Sequence, residues 1–147
     1  MKIEAIFEEW EKDTEIDRTQ LDDESIKIPK LHHKYYKVFV SERLLYRKLE
    51  ADMKQLKLEK YEFYTQGPTK NQKDKGWELP SRGMILKNDI PMYLEADKDL
   101  IEISLKIGYQ LEKIDFLESI LKTLQNRGYQ IKTAVDWIRF TQGGWWI

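Results

Sequence analysis

The chain has 147 residues, of which 41% are hydrophobic and 35% charged, and it contains no cysteine. This hydrophobic share excludes wholesale disorder, and the lack of cysteine excludes disulfides, thiol nucleophiles and thiolate metal sites. Residues 1–10 contain no apolar run typical of a signal peptide, and no later stretch is long and apolar enough to span a bilayer, so we expect one domain in the cytoplasm without membrane contact.

The net charge of −1 conceals an uneven distribution along the chain. Residues 1–26 carry 3 Lys/Arg against 10 Asp/Glu, whereas residues 27–75 carry 13 against 6 and residues 76–147 carry 9 against 10. The basic segment, 27–75, also contains several aromatic residues. Cations attract phosphates and aromatic rings stack on unpaired bases, so this composition favours binding of single-stranded nucleic acid.

The predicted elements are mainly helices. In the acidic segment, 1–26, apolar residues recur at helical spacing and predict a short helix that ends near Asp13. Residues 14–28 are polar, and Pro29 favours a break or a helix start.

A long helix is predicted over 27–66, because no glycine and no further proline interrupts it before Gly67. Its residues separate into two faces at 100° per residue. One face is apolar and predicts a packing surface. The other, which we call the basic face, has Glu50 as its only acid and contains Tyr36, Arg43, Arg47, Lys54, Lys57, Tyr61 and Tyr64.

Residues 67–94 predict a lysine-rich loop, in which Trp77 should dock against the rest of the chain. The apolar part of this loop, 84–94, contains Pro91 and predicts an extended segment or one short hairpin.

Residues 97–126 predict a second long helix, capped by Asp97 or Asp99, with Gly128 as a left-handed closing residue. A last helix is predicted over 130–141. The fold class is therefore all-α, with two long amphipathic helices and shorter helices near each end, in one domain over 1–147. The wide apolar surface of 97–147 predicts contacts between subunits.

No pattern in the sequence predicts catalysis. His32 and His33 are adjacent and diverge by about 100° on a helix, so they cannot chelate one metal together. Asp97 and Asp99 lack the glycine and the distal glutamate of a calcium loop. Motifs for phosphate cradling or a nucleophilic serine are missing. We therefore predict a protein that is not an enzyme and has no catalytic residue, metal or cofactor.

The basic face has two other interpretations. Long helices normally carry lysine and arginine on their solvated side without binding anything. The face could instead bind an acidic protein, including the chain's own residues 1–26. Nucleic-acid binding is preferred, because the face has one acid where balanced helices place acids three or four residues from each cation.

Four blocks in the sequence resemble the family of UvsY-type recombination mediators of T4-like phages. They are DTEIDRTQL at 13–21, LKLEKYEFY at 56–64, ADKD at 96–99 and NRGYQIK at 126–132. The blocks occur in the family's order and cover nearly the whole chain. The family's DNA-binding run, Leu-Lys-x-Arg-Leu, resembles Leu56–Tyr61, where Lys60 replaces the arginine and the lysine of the run falls at Leu58 or Lys57, depending on a shift of one residue.

The resemblance implies a non-enzymatic protein of the infected bacterial cytoplasm that assembles into a hexamer or heptamer ring. Such proteins bind single-stranded DNA, weaken the hold of the single-strand DNA-binding protein and help a RecA-like recombinase to polymerise. The residues expected to contact DNA are Arg43, Arg47, Lys54, Lys57 and Lys60 at phosphates, and Tyr61 and Tyr64 at bases. The residues expected between subunits are Leu117, Leu121, Leu124, Ile131, Val135, Ile138, Trp145 and Trp146. The alternative is a helical protein–protein assembly factor without a role on DNA.

Overall fold

The computed structural model describes residues 1–80 and 85–143, and within them it contains helices and no strand. A 3₁₀ turn, Lys87–Asp89, precedes the fourth helix. The five α-helices are α1 Ile3–Asp13, α2 Leu21–Gln66, α3 Lys70–Asp74, α4 Ile90–Glu95 and α5 Lys98–Thr141. The all-α prediction is confirmed. Within the residues that the structure describes, every helix is too short or too polar to cross a lipid bilayer.

The chain divides into two compact units. The terminal unit consists of Met1–Leu44 and the described part of Glu112–Ile147, and the middle unit consists of Leu45–Leu111. Helices α2 and α5 each contribute residues to both units. The assignment of 1–147 to a single domain stays a prediction.

The core of the terminal unit is built where α1 packs on α2 and α5. The Phe7 and Phe116 rings meet edge to face at 4.6 Å between centroids, and Trp10 meets Tyr35 at 5.5 Å. Such pairs add to the free energy gained from apolar burial. The buried apolar side chains are Ile6, Leu21, Tyr35, Phe39, Ile114, Leu117, Ile120, Leu121, Leu124 and Ile131.

The core of the middle unit is smaller, and Phe63, Ile90 and Leu100 are its buried apolar residues. The Trp77 ring lies 5.5 Å from the Phe63 ring, which confirms the prediction that this tryptophan docks. Part of the predicted loop is the helix α3, which begins with a capping box between Thr69 and Gln72. These two side chains satisfy backbone N–H groups that the first helical turn leaves unpaired.

The predicted break near Pro29 is wrong, because α2 begins eight residues earlier, at Leu21, and passes through the proline. Pro29 is exposed and removes only one backbone hydrogen bond. Leu21 and Glu24 are buried in the terminal unit, and Glu24 forms an ion pair with Arg127. These tertiary contacts outweigh the local cost of the proline and keep the first turns of α2 helical.

The predicted end of a helix at Gly128 is also wrong, because α5 continues to Thr141. Gly128 is not among the described glycines with a positive φ. Leu124, Arg127 and Ile131 are all buried at helical spacing around it. The buried stripe therefore continues across the glycine, and the predicted helix over 130–141 is the last part of α5.

The extended segment predicted over 84–94 is wrong for most of its described residues, 85–94. Residues 87–94 belong to the 3₁₀ turn and α4, and Leu86, which caps the turn, has an extended backbone. Pro91 lies in the first turn of α4, where its fixed φ suits the helix and its missing N–H is not required. The predicted cap at Asp97 is confirmed, since its Oδ1 accepts hydrogen bonds from the N–H groups of Asp99 and Leu100 at 3.0 and 3.1 Å.

Candidate nucleic-acid interface

Three cations and one aromatic residue of α2 share an exposed face within the middle unit. Arg47, Lys54 and Lys57 are exposed, and they form no ion pair with any residue in 1–80 or 85–143. At 100° per residue they lie with Tyr61 within an arc of about 80°. The Tyr61 side chain is 42% exposed. This part of the basic face can offer positive charge and an aromatic surface to a ligand in solution.

Arg43 belongs to the terminal unit and is likewise exposed. Its guanidinium lies 5.1 Å from the centroid of the Phe39 ring. A cation–π contact at an exposed site is weak and leaves the donor groups of the guanidinium accessible. Arg43 pairs with no carboxylate among the described residues, so it remains available to a phosphate.

Acidic residues limit the positive potential at two points of the middle unit. Glu50 lies on the same face of α2, beside Tyr46, where burial and then the charge of Glu50 raise the pKa of the Tyr46 hydroxyl. Glu95 lies near Lys57 and Tyr61, along the groove that borders α4. The cations still outnumber these carboxylates.

Lys60 and Tyr64, which the sequence assigned to DNA, are instead part of an internal network. Lys60 is only 4% exposed. Its Nζ lies 3.1 Å from Asp97 Oδ2 and 2.7 Å from Asp99 Oδ2. The Tyr64 hydroxyl donates to Asp97 Oδ2 at 2.6 Å, and its ring packs 5.9 Å from Tyr93. Because these contacts within the middle unit occupy the Lys60 ammonium group and the Tyr64 hydroxyl, neither group is available to a DNA strand.

The protonation states in this network follow from its geometry. Burial tends to raise the pKa of Asp97, but hydrogen bonds from Tyr64, the Leu100 N–H and Lys60 lower it below its usual value. Burial, and then the hydrogen bond to Asp97, raise the pKa of the Tyr64 hydroxyl. At neutral pH Asp97 is therefore ionised and Tyr64 protonated. The charge of Lys60 is compensated inside the unit.

Several other cations of the basic segment are paired with the chain's own acids. Lys34 Nζ lies 2.7 Å from both Glu9 and Asp13, within the terminal unit. Burial tends to lower the pKa of Lys34, but these two carboxylates raise it above its usual value. The acidic segment therefore meets the basic segment at Lys34. Lys34 does not belong to the basic face, so this contact does not occupy the residues that were assigned to DNA.

The predicted subunit contacts divide into three groups. Four of these residues, Leu117, Leu121, Leu124 and Ile131, are buried inside the terminal unit, and Leu117 is 0% exposed. Val135 and Ile138 are half-buried. Trp145 and Trp146 lie outside the described residues.

Sequence reasoning missed two exposed aromatic residues of α5. Trp137 is 65% and Phe140 77% exposed, and their rings lie 6.0 Å apart. The sequence contains a signal for this pair, because Trp137 and Phe140 are three residues apart and lie on the side of α5 opposite the buried leucines.

No group of three or more His, Cys, Asp or Glu side chains within the described ranges is arranged to hold a metal ion. The chemistry available on the exposed face of α2 is the binding of anions and the stacking of flat rings.

Comparison with known proteins gives a consistent result. The family model described as "Recombination, repair and ssDNA binding protein UvsY" matches residues 9–144. The recombination protein uvsY of Enterobacteria phage T4 is 27% identical over 143 residues, which cover 97% of this chain and 99% of that protein.

Two crystal structures of the bacteriophage T4 recombination mediator protein UvsY share the fold. The first has a TM-score of 0.79 at 26% identity and covers 97% of this chain and 99% of that chain. The second has a TM-score of 0.77 at 25% identity and covers 93% and 98%. The likeness extends over nearly the full length of each chain.

Proposed function

The chain belongs to the UvsY family of recombination, repair and single-stranded-DNA-binding proteins, and we propose that it is a recombination mediator whose DNA contacts are exposed residues of α2. The proposal rests on the exposure of Arg47, Lys54 and Lys57. These cations are exposed on one face and lack ion pairs among the described residues. Each can bind a phosphate, Tyr61 can stack on a base, and Arg43 adds a cation in the terminal unit.

Lys60 and Tyr64 are left out of the proposed contact. Both were expected at the DNA, but Lys60 is buried between two aspartates, and the Tyr64 hydroxyl is bound to Asp97. Breaking these contacts to reach a phosphate would leave a buried carboxylate unpaired, which is costly. Lys57 is the cation of the Leu56–Tyr61 run that we assign to phosphate.

The proposed mediator activity requires no bond-making chemistry, so we assign the protein neither an enzymatic activity nor a cofactor. Binding along the sugar–phosphate backbone competes with a single-strand DNA-binding protein for the same phosphates. The freed strand is then presented to a RecA-like recombinase in the cytoplasm of the infected bacterium. A ring of six or seven subunits would repeat the weak contact and raise the overall affinity through avidity.

We place the subunit contact near the end of α5. Leu117, Leu121, Leu124 and Ile131 are already covered by their own chain. Exposed aromatic side chains are enriched in protein interfaces, and Trp137 and Phe140 are exposed on one side of the last turns of α5, while Val135 and Ile138 are half-buried on another side of the same turns. These four residues replace the buried leucines in the proposed interface.

The test of DNA binding is a fluorescence-anisotropy titration of labelled oligo-dT and of a matching duplex at several salt concentrations. The test variant replaces Arg47, Lys54 and Lys57 with alanine. The control variant replaces Arg139, Lys122 and Lys132, which are exposed on α5 and carry the same charge. Sedimentation velocity checks that both variants keep the assembly of the unmodified protein.

We expect tighter binding to the single strand than to the duplex. The loss of three phosphate contacts should flatten the slope of log affinity against log salt by about 2, because fewer counterions are released. The control should keep the original slope. If a folded, assembled protein does not bind oligo-dT even at low salt, the DNA role is refuted and the protein–protein assembly factor becomes the leading interpretation.

The mediator step has its own test. Filament assembly by a RecA-like recombinase is followed on oligo-dT that is already coated with a single-strand DNA-binding protein. We expect the unmodified chain to shorten the lag before assembly, and we expect the Arg47, Lys54 and Lys57 variant to lose most of this effect. An equal lag with and without the chain would limit its function to DNA binding.

A further inference from the structure

A groove in the middle unit lies directly beside the proposed DNA face. It has a volume of about 650 Å³, within the range of about 300–1,000 Å³ that is typical of ligand-binding pockets. Its walls come from α2, from the 3₁₀ turn with α4, and from the first turns of α5. Ile90 and Leu100, both buried, form its floor.

The α2 side of the groove contains three residues at intervals of four. Met53, Lys57 and Tyr61 follow one another along the same side of the helix. Met53 is half-buried and offers a polarizable thioether, whereas Lys57 and Tyr61 are exposed at the rim. Lys57, which we assign to a phosphate, and Tyr61, which we assign to a base, therefore also line the groove.

The opposite side contributes apolar walls and a second cation. Leu94 is half-buried and Ile101 is exposed, so both offer apolar surface, and Ser104 offers a hydroxyl group. Lys87, in the 3₁₀ turn, is exposed and has no ion pair with any residue that the structure describes. Nothing in the sequence patterns assigned Lys87 to a site.

We propose that this groove binds one unstacked base of the DNA strand, with Tyr61 and Met53 against the base and Lys57 and Lys87 at the flanking phosphates. Charge complementarity selects this occupant. An apolar floor between two lysines matches a flat ring between two phosphates, and Glu95 is the only acid among the described residues of the lining. A second copy of the chain or an apolar peptide would bury these lysines without compensation.

This inference rests on the proposed function and deepens it. The exposed cations of α2 alone would bind any sugar–phosphate chain, with or without bases. A groove that holds a base makes the affinity depend on that base. The difference can be measured with a strand that keeps the phosphates and lacks the bases.

The experiment compares labelled oligo-dT with an abasic strand of the same length, using the full chain. One variant, Ser104→Trp, fills the groove from an exposed position of α5 without removing a core residue. Its control, Ser119→Trp, places the same side chain at an exposed position of α5 in the terminal unit. A second pair compares Lys87→Ala with Lys70→Ala, which removes an exposed lysine of the same unit that does not line the groove.

We expect the unmodified chain to prefer oligo-dT over the abasic strand by about tenfold, which lies within the contribution of one stacked base. Ser104→Trp should reduce this preference to near one, and Ser119→Trp should retain it. Lys87→Ala should weaken binding to both strands and flatten the salt slope by about 0.7, as expected for one phosphate contact. Lys70→Ala should leave the slope unchanged.

Tight binding of both strands with equal affinity would overturn the groove and the stacking of Tyr61, and would leave the phosphate contacts of the proposed function intact. If neither strand binds, both the groove and the proposed DNA-binding function are refuted. A tenfold preference that Ser104→Trp does not change would place the base elsewhere and also overturn the groove. If Ser104→Trp instead changes the sedimentation of the assembly and spares the preference for oligo-dT, the groove belongs to a second copy of the chain and the inference is wrong.

Discussion

The ammonium group of Lys60 lies 3.7 Å from the centroid of the Trp77 ring. The same ammonium pairs with Asp97 and Asp99 from the start of α5, so one lysine joins three segments of the middle unit. A cation–π contact that is shielded from water contributes about 2 kcal/mol, more than at an exposed site. Lys60, which the sequence assigned to DNA binding, therefore stabilises the middle unit by joining these three segments.

The first prediction separates a structural lysine from a DNA-binding one. Lys60→Met should lower the free energy of unfolding by about 3 kcal/mol, because it leaves Asp97 buried without its cation. Lys57→Met, at an exposed position, should change it by less than about 0.5 kcal/mol. Urea denaturation measures both values, and anisotropy with oligo-dT measures the affinity.

For the folded fraction, only Lys57→Met should weaken binding to DNA. The opposite pattern, a stable Lys60→Met variant with reduced affinity, would show that Lys60 leaves its network to reach the strand.

The second prediction concerns acid pH. Burial tends to raise the pKa of Asp97, but its hydrogen bonds and Lys60 lower it below the ordinary value of 3.8. A carboxyl group whose pKa is lower in the folded state stabilises that state fully above the unfolded value. This stabilisation is lost as the pH falls through the folded value.

The measurement is a series of thermal melts between about pH 6 and pH 2, in which Asp97→Asn is compared with the unmodified chain. The difference in stability should be constant above about pH 5 and should shrink below it. Asp89→Asn, at an exposed aspartate of the 3₁₀ turn, provides the control. A difference that stays constant down to pH 2 would mean that the pKa of Asp97 is the same in the folded and the unfolded protein.

Periodicity predicted those parts of the site that depend on a single helix. The exposure of Arg47, Lys54 and Lys57 follows from the geometry of α2 alone, and the sequence prediction of one basic face agrees with it. The network of Lys60 and Tyr64 could not be predicted in this way. Its partners come from a different helix, and Asp97 is separated from Tyr64 by 33 residues.

The helix ends show the same limit. The end of α1 and the cap at Asp97 depend on neighbouring residues and were predicted. Pro29 and Gly128 were read as breaks from their local preferences, but the helices continue because residues on both sides are buried in the terminal unit. Tertiary packing outweighs the preference of one residue, which is about 1 kcal/mol for glycine.

The third prediction tests the conformation of Gly128. An added Cβ at this residue meets no atom within 4 Å, and φ is not positive. Gly128→Ala should therefore raise the free energy of unfolding by about 0.5–1 kcal/mol, because alanine loses less backbone freedom on folding. Gly76→Ala is the contrasting variant, since φ is +82° at Gly76, and should destabilise the chain. A destabilised Gly128→Ala variant would restore the left-handed helix end that the sequence suggested.

Arg127 connects α5 to the acidic segment of the terminal unit. It is 2% exposed. Its Nη1 donates to the carbonyl oxygen of Asp13 at 2.6 Å, and its Nη2 donates to the carbonyl oxygen of Glu15 at 2.9 Å and to Glu24 Oε2 at 3.1 Å. The guanidinium thus binds the end of α1, the chain between α1 and α2, and the first turn of α2. This contact supplies part of the tertiary stabilisation that keeps α2 helical before Pro29.

The fourth prediction follows from that geometry. Arg127→Lys should lower the free energy of unfolding by about 3 kcal/mol, because one ammonium group cannot reproduce the planar fork that reaches three acceptors. Arg139→Lys, at an exposed position of the same helix, should change it by less than about 0.5 kcal/mol. Urea denaturation measures both, and anisotropy with oligo-dT is recorded on the same samples. Arg127 belongs to the NRGYQIK block that carries the family resemblance. If Arg127→Lys retained its stability and bound oligo-dT more weakly, this block would contribute to DNA binding rather than to the terminal unit.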